Sequence, residues 1–337
     1  NRSNVVVGIN IILKIFRFFL VLAHLAIIVL LLLTSLNSVV PPETFPYLNL
    51  LSLAFPVLMI LNVALCLFWI ILWKKRALFF VAISLIMISP IKRWINWTSK
   101  SSDQPNLKMV TFNIKSGMYG REKIYNYLES TDADIILGQE YGGEFNIPNY
   151  PFRTDKYEIV SLNSKAEIIK TEKLATFSNG NAFYADIKFK GKMIRVVNVY
   201  LNPFSFDKQK IKPVENLEEN KTKVKDIIKK LIPTFKIHQK EIVDIRKAID
   251  HSPYPVILAG DFNSVPNSYE YYELGKGLTD AFVAVGRGSS TSFHDYKFPI
   301  RIDYIFTSKE IKPVSYRVDR SVKISDHFPV IATFKID

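Results

Sequence analysis

Six short polar runs recur along the last two thirds of the sequence. They are Phe112-Asn113, Gly138-Gln139-Glu140, Asn198-Val199-Tyr200-Leu201-Asn202, Gly260-Asp261-Phe262-Asn263, Arg301-Ile302-Asp303-Tyr304 and Ser325-Asp326-His327. Most of them sit at the end of an apolar β-type run, where a packed core would not need polar groups. Carboxylate, carboxamide and imidazole are the groups that hold or move protons and ligate hard cations. A single Asp or Asn after a strand is ordinarily a turn or cap residue, because its side chain bonds the nearby backbone. Six in order along one stretch point instead to one shared site.

Strands and helices must bring those runs together. Leu107–Asn113 reads as a strand, Glu122–Glu129 as a helix and Asp134–Leu137 as a buried strand. Ala182–Phe189 and Met193–Tyr200 flank Lys190-Gly191-Lys192, a hairpin signal. Pro255–Ala259, Ile302–Phe306, Pro313–Val318 and Val330–Phe334 read as the remaining strands. Hairpins mixed with helices predict a mixed α/β fold rather than an all-parallel doubly wound sheet. Between Asp207 and Asp250 the composition turns charged and helical, with runs over Glu215–Leu231 and, after Pro233, to about Ile249. Residues 205–250 carry 12 Lys/Arg and 8 Asp/Glu, so this insertion holds nearly all the excess positive charge of the domain. It reads as a solvated helical face; the sharper alternative is a basic arm near anionic headgroups or an anionic substrate.

Together these motifs resemble the endonuclease/exonuclease/phosphatase superfamily of metal-dependent phosphoesterases, from about Leu107 to the C-terminus. The likeness is most specific in Gly260-Asp261-Phe262-Asn263 and Ser325-Asp326-His327, with Gln139-Glu140 upstream. It implies a four-layer α/β sandwich, two packed mixed β-sheets flanked by helices. It also implies hydrolysis of a phosphodiester or phosphomonoester by metal-assisted attack of water. The implied cofactor is Mg²⁺, with Mn²⁺ as a substitute, held by Glu140 and Asn113 with Asp326 as a further metal-site carboxylate. Asp261 would orient or deprotonate the attacking water, and Asn263 would point its amide at a non-bridging oxygen. His327 would donate to the phosphate or exchange a proton, with Asp303 fixing its tautomer. Two positions depart from the common pattern. Tyr200 stands where many diesterases and phosphatases of the superfamily have His, and tyrosine there is similar to the abasic-site endonucleases; a phenol of ordinary pKa about 10 shuttles protons poorly at neutral pH. Lys115 stands where the abasic-site enzymes have an acid, which removes a metal ligand and offers a phosphate contact instead. Asn202, His294 and Arg301 are further candidates for substrate contact.

The first hundred residues are different in kind. Phe18–Pro42 and Thr44–Trp73 are uncharged runs of 25 and 30 residues. At about 1.5 Å per residue each can span a hydrocarbon core of about 30 Å. Ala77–Ile91 offers a shorter run of 15 between Arg76 and Lys92-Arg93. That is about 22 Å, with flanking residues that can snorkel and Trp94 and Trp97 suited to an interfacial belt. The expected organisation is therefore an all-α transmembrane anchor over 1–98, with spans near 11–36, 47–73 and 77–95. A linker at 99–106 and the phosphoesterase domain at 107–337 follow, the latter interrupted at about 207–250. The positive-inside rule places Arg2, Lys14, Arg17 and the Lys74-Lys75-Arg76 turn in the cytoplasm. Three spans then put the domain outside; if the third segment only lies in the interface, the domain is cytoplasmic. Pro42-Glu43-Thr44-Phe45-Pro46 and Leu53-Ala54-Phe55-Pro56 resemble a bacterial membrane-anchored branch of the superfamily. That resemblance implies an inner-membrane, multi-pass protein with a periplasmic catalytic domain. His24 and Cys66 lie within the spans without an acidic partner there, and read as tolerated polar residues.

The composition agrees with this division. The 337 residues are 48% hydrophobic yet carry 44 Lys/Arg against 31 Asp/Glu, which excludes a disordered chain and a single soluble domain. One cysteine, Cys66, excludes a disulfide framework or a cysteine-rich metal site. Beyond residue 100 the net charge is only +5, short of the basic face of a dedicated duplex binder. The anchor holds the site near lipid, which favours a lipid-linked phosphoester over nucleic acid; the expected partners are the bilayer and other membrane proteins reached through the anchor. The rival reading is a non-catalytic membrane subunit that uses the fold as an interaction surface, with Tyr200 as its main support.

Overall fold

The computed structural model describes residues 2–72, 74–99, 101–143, 146–204, 214–295 and 299–337. Its first part is helical: α1 (Arg2–Leu33), continued by a 3₁₀ turn (Thr34–Ser38), then α2 (Tyr47–Ile71), α3 (Arg76–Ser84), a second 3₁₀ turn (Leu85–Met87) and α4 (Ile88–Lys92). Gly8–Ser38 and Tyr47–Ile71 are long and apolar enough to cross a membrane. Both present large apolar side chains outward, among them Phe18, Phe19, Val29, Ile60, Leu67 and Ile71. The expected third span at 77–95 does not form a third such helix. Pro90 has no N–H to donate and its ring crowds the carbonyl four residues back, so helical bonding breaks and the chain tightens into the 3₁₀ turn. The segment nevertheless packs back along α2. Ala77 and Phe80 cluster with Trp69, Ser84 Oγ accepts from Asn62 Nδ2 at 2.9 Å, and Met87 meets Phe55 and Met59. His24 is not merely tolerated: Trp69 Nε1 donates to its Nδ1 at 3.1 Å, and its Nε2 meets Asn62 Oδ1 at 3.0 Å.

After β1 (Ile95–Trp97) the chain builds two six-stranded sheets. In chain order the elements are β2 (Leu107–Asn113), α5 (Arg121–Ser130), β3 (Ile135–Gln139), β4 (Phe152–Tyr157), β5 (Val160–Ser164), β6 (Glu167–Leu174), β7 (Asn181–Phe189) and β8 (Lys192–Tyr200). Then follow α6 (Leu217–Asp250), β9 (Val256–Asp261), α7 (Tyr269–Gly275), β10 (Thr279–Asp280), α8 (Ala281–Val285), β11 (Arg287–Ser289), β12 (Asp303–Thr307), β13 (Ile311–Val318) and β14 (Val330–Ile336). One sheet runs β10-β12-β9-β8-β7-β6 and the other β13-β14-β2-β3-β5-β4, while β1 pairs with β11. Among the described residues, only β2–β3 and β8–β9 are parallel.

The two sheets pack face to face on a shared core that includes Met109, Leu137 and Leu162 from one and Ala185, Val196 and Ile257 from the other. Ile124 and Leu128 of α5 cover the outer face of the β2 sheet. Ile242 and Ile245 of α6 and Leu274 of α7 cover the outer face of the β9 sheet. This is the expected four-layer sandwich, flanked by helices and preceded by a helical region. The expected break at Pro233 is absent: α6 is one helix of 34 residues with the proline inside it. Its second half is fastened by buried Phe235, His238, Ile242 and Ile245, so packing holds together what local propensity would divide. The start of the expected insertion, residues 207–213, lies outside the described residues.

A buried ion pair ties α6 to α7. His238 Nδ1 meets Glu270 Oε1 at 2.8 Å, and His238 Nε2 meets the Asn202 carbonyl at 2.7 Å. Burial opposes both charges, yet the pairing outweighs it: His238 is held above its ordinary 6.5 and Glu270 below its ordinary 4.5. The raised histidine stabilises fully below about pH 6.5 and is lost as pH rises through its folded value. The depressed glutamate stabilises fully above about pH 4.5 and is lost as pH falls through its folded value. The stability gap between wild type and Glu270→Gln, read from melting curves, should therefore be widest between pH 4.5 and 6.5 and shrink on both sides. Its size there should be about 3–5 kcal/mol, the cost of leaving one buried charge unpaired.

Candidate active site

Strand register assembles the polar runs. On the parallel pair β2–β3, Asn113 lies opposite Gln139; on β8–β9, Tyr200 lies opposite Asp261; and Asp261 in turn lies opposite Asp303 on β12. Parallel neighbours end on the same side, so one end of the sandwich collects the amide, the carboxylates and the phenol. The loop before β14 adds Asp326 and His327. Gly260 makes the approach of β9 to β8 feasible: its φ is +136°, and a Cβ there would stand 2.0 Å from the Val199 carbonyl oxygen. Lys115, Glu140 and Asn263 adopt left-handed backbone at φ 45°, 50° and 45°. Such conformations cost of order 1–3 kcal/mol each and gather where surrounding structure forces them.

Asn113 bridges two carboxylates: its Nδ2 donates to Glu140 Oε1 at 2.9 Å and to Asp261 Oδ2 at 3.0 Å. Its oxygen, expected on a cation, accepts instead from the Lys115 N–H at 3.0 Å, because the paired carboxylates attract the NH₂ edge. Tyr200 OH donates to Glu140 Oε1 at 2.9 Å. The Asn263 N–H donates to Asp261 Oδ1 at 2.8 Å, while its side-chain amide caps the Leu201 carbonyl at 2.8 Å rather than facing a ligand. His327 Nδ1 meets Asp303 Oδ2 at 2.8 Å, and its Nε2 lies 3.7 Å from Asp261 Oδ2. Lys115 and Asp326 form an ion pair.

Burial and charge set the protonation of this cluster. Burial, helped by the Asp303 carboxylate, pushes Asp261 up to about 7. Burial alone would lower His327, but Asp303 and Asp261 outweigh it and push the imidazole up to about 9. Burial, then the Glu140 and Asp261 charges, raise Tyr200 far above the ordinary phenol, so it remains a neutral donor. Asp261, Asp303 and His327 each offer a ligand atom within 4.8 Å of one another. Asp303 Oδ1 is buried without a hydrogen-bond partner. The carboxylate oxygens gathered here, with Glu140 and Asp326 alongside, are the hard donors that a divalent cation takes, whereas a protonated His327 offers it no lone pair.

Three expected substrate residues are placed otherwise. Arg301 is fully buried in a two-pronged pair with Asp280, at 2.7 and 2.8 Å, because a guanidinium fork matches a carboxylate. Asn202 is buried, and its Oδ1 accepts from the Asn179 N–H at 3.0 Å. His294 lies against Phe328, and its Nε2 meets the Ser325 carbonyl at 3.0 Å, so it braces the Asp326-His327 loop. Ser325, which opens the Ser325-Asp326-His327 run without a role assigned to it, donates its hydroxyl to the Asn113 carbonyl at 2.8 Å. Ser292, which nothing in the sequence marks, accepts from the Asp303 N–H at 3.1 Å. The Gln139–Asn198 bond of 2.8 Å, which joins the two sheets beneath the site, had a signal in two amides within β-type runs. Gly260→Ala should destabilise the fold by about 1–3 kcal/mol through overpacking, beyond the left-handed penalty of roughly 1 kcal/mol. Gly191→Ala, which meets open space at φ +82°, should show that penalty alone in denaturant unfolding.

Residues 14–94 match a family described as a domain of unknown function, DUF8431. Residues 110–327 match the family described as the endonuclease/exonuclease/phosphatase family. No curated protein matches the sequence. Among solved structures, a D. rerio TDP2 humanized by 14 mutations is similar at 18% identity, covering 68% of this chain and 98% of its own, with a TM-score of 0.51. The human Nocturnin catalytic domain with bound sulfate is similar at 14% identity, covering 69% of this chain and 94% of its own, also at TM-score 0.51. These likenesses agree with the sandwich, and the family match spans every polar run that forms the site. The chain belongs to the endonuclease/exonuclease/phosphatase family, a family of phosphoester-hydrolysing enzymes.

Proposed function

We propose that the chain is a membrane-held, Mg²⁺-dependent phosphoesterase acting on a phosphoester carried at the bilayer surface. The carrying observation is the convergence of Asn113, Glu140, Tyr200, Asp261, Asp303 and His327 on one end of the sandwich. Glu140 and Asp326 are the hard carboxylates that would hold the cation, with Asn113 linking Glu140 to Asp261; Mn²⁺ would substitute. The bound ion would neutralise charge on the phosphoryl oxygens.

The chain's own groups supply the remaining chemistry. Asp261, with a raised proton affinity and both oxygens fixed by donors, accepts the proton of the attacking water. His327, held as an imidazolium by Asp303, donates to a phosphoryl oxygen and stabilises the charge that develops there. Lys115 balances Asp326 at the rim, where an incoming phosphate adds a second anion. Tyr200 steadies Glu140 rather than shuttling protons.

The helical region lies directly beside this site. Phe293 stacks edge-on against His327 at 4.9 Å, and with Val265 and Ile302 it packs on Leu53 of α2 and on Trp94. That adjacency favours a lipid-linked phosphoester over nucleic acid. The broken third segment, which packs back along α2 from Ala77 to Met87, crosses the bilayer with the other two helices in this reading. The domain then stands opposite the Lys74-Lys75-Arg76 turn, on the extracytoplasmic face of a bacterial inner membrane.

The test is the full chain in detergent, assayed with Mg²⁺ on phospholipid vesicles, an aryl phosphodiester and plasmid DNA. Asp261→Ala and His327→Ala should each lower turnover by about 10²–10⁴-fold while remaining folded. Wild-type turnover by either folded variant would sink the mechanism, and a preference for plasmid DNA would overturn the lipid-surface substrate.

A further inference from the structure

We infer that the helical region is more than an anchor: Asn37, Ser52 and Arg93 are positioning residues that set the catalytic rate through Asn267. The inference rests on the phosphoesterase reading. Asn267 lies four residues beyond Asn263, in the loop that carries the Asp261-Phe262-Asn263 run away from β9. Three donors from the helical region converge on this one residue. Asn37 Nδ2 and Ser52 Oγ donate to its carbonyl at 3.0 and 2.7 Å, and Arg93 Nη1 donates to its Oδ1 at 2.7 Å.

Asn37 and Ser52 are 1% and 0% exposed, in a predominantly apolar region. A polar group buried there is costly unless it is partnered: Asn37 Nδ2 also donates to Ser52 Oγ at 2.8 Å and to the Leu48 carbonyl at 3.1 Å, and both side chains reach across to the Asn267 carbonyl. Adhesion alone would not need this chemistry. Elsewhere the same two parts meet through apolar packing of Leu53 and Trp94, through Asn49 with Tyr269 and Glu270, through the exposed pairing of Glu43 with Lys236 and Lys240, and through the β1–β11 ladder.

The clamped residue is tied to the site. Asn267 has φ +70°, a left-handed turn conformation that asparagine tolerates better than most residues. From it the loop returns to the site through short links. The Ser268 and Ser264 hydroxyls meet at 2.6 Å, Tyr304 OH donates to the Ser264 carbonyl at 2.9 Å, and the Asn263 N–H reaches Asp261. Removing the helical donors would leave a left-handed residue without its external bonds, at the far end of the turn that fixes the base. A displacement of about 1 Å at a reacting group can cost about 10²-fold in rate.

The experiment compares full-length wild type, Ser52→Ala, Asn37→Leu/Ser52→Ala and Glu43→Gln in detergent, by steady-state kinetics with Mg²⁺ and by amide hydrogen exchange. The double variant should lower kcat about 10–100-fold with KM within about twofold, and Ser52→Ala should show a smaller fall in the same direction. Exchange at residues 262–268 should quicken in both, while Glu43→Gln keeps wild-type kinetics and exchange. A double variant with wild-type kcat overturns the inference whatever its exchange, and so does an equal loss in Glu43→Gln. A wild type that hydrolyses no phosphoester overturns the functional reading instead, and the exchange comparison still reports whether the clamp orders the loop.

Discussion

Everything at the site depends on one buried arrangement of charge, Asp261 and Asp303 about the His327 imidazole. All three are at most 4% exposed. Two carboxylates that close, away from water, cannot both stay ionised without a positive partner. The imidazolium supplies it, held at 2.8 Å from Asp303 and 3.7 Å from Asp261. The arrangement in turn requires β9 to lie between β8 and β12 in an exact register, which places Tyr200, Asp261 and Asp303 in one row. Gly260 permits the close approach on one side of that row. The chemistry and the sheet order are thus one constraint.

A second constraint comes from the helical region. Apolar helices that pass Asn37, Asn49 and Ser52 toward a domain must satisfy those groups, and the domain answers with Asn267, Tyr269 and Glu270. Arg93 extends the junction by lying over the rings of Tyr271 and Tyr272 at 4.8 and 4.6 Å. Asn49 also donates to the Glu270 carboxylate that pairs with His238, whose other nitrogen meets the Asn202 carbonyl beyond β8. The junction therefore reaches α6, α7 and the ends of both strands that bear Tyr200 and Asp261.

The sandwich was legible because its inner strands are rich in apolar residues and end in polar ones; Leu107–Asn113 was read to the residue. The short or exposed strands escaped notice. β6 exposes most of its side chains and carries Lys170, Glu172 and Lys173, so it shows no buried periodicity, and β1 with β11 is only three residues long. The site residues were legible as types at strand ends, but their directions were not. Whether an amide turns its oxygen or its nitrogen inward depends on neighbours brought from 27 and 148 residues away, as with Asn113. Arg301 misled for a related reason: its partner Asp280 faces it only once β10 and β12 are paired. The third segment is legible as apolar, but its length alone does not show that Pro90 breaks its helix.

The central claim is metal-dependent hydrolysis of a phosphoester by this site. The most direct measurement follows product release by the purified full-length chain in detergent, with Mg²⁺ present, then chelated by EDTA, then restored. The account predicts turnover that stops on chelation and returns with the ion. A folded chain that releases product equally well in EDTA, or turns over no phosphoester at any Mg²⁺ concentration, would contradict it.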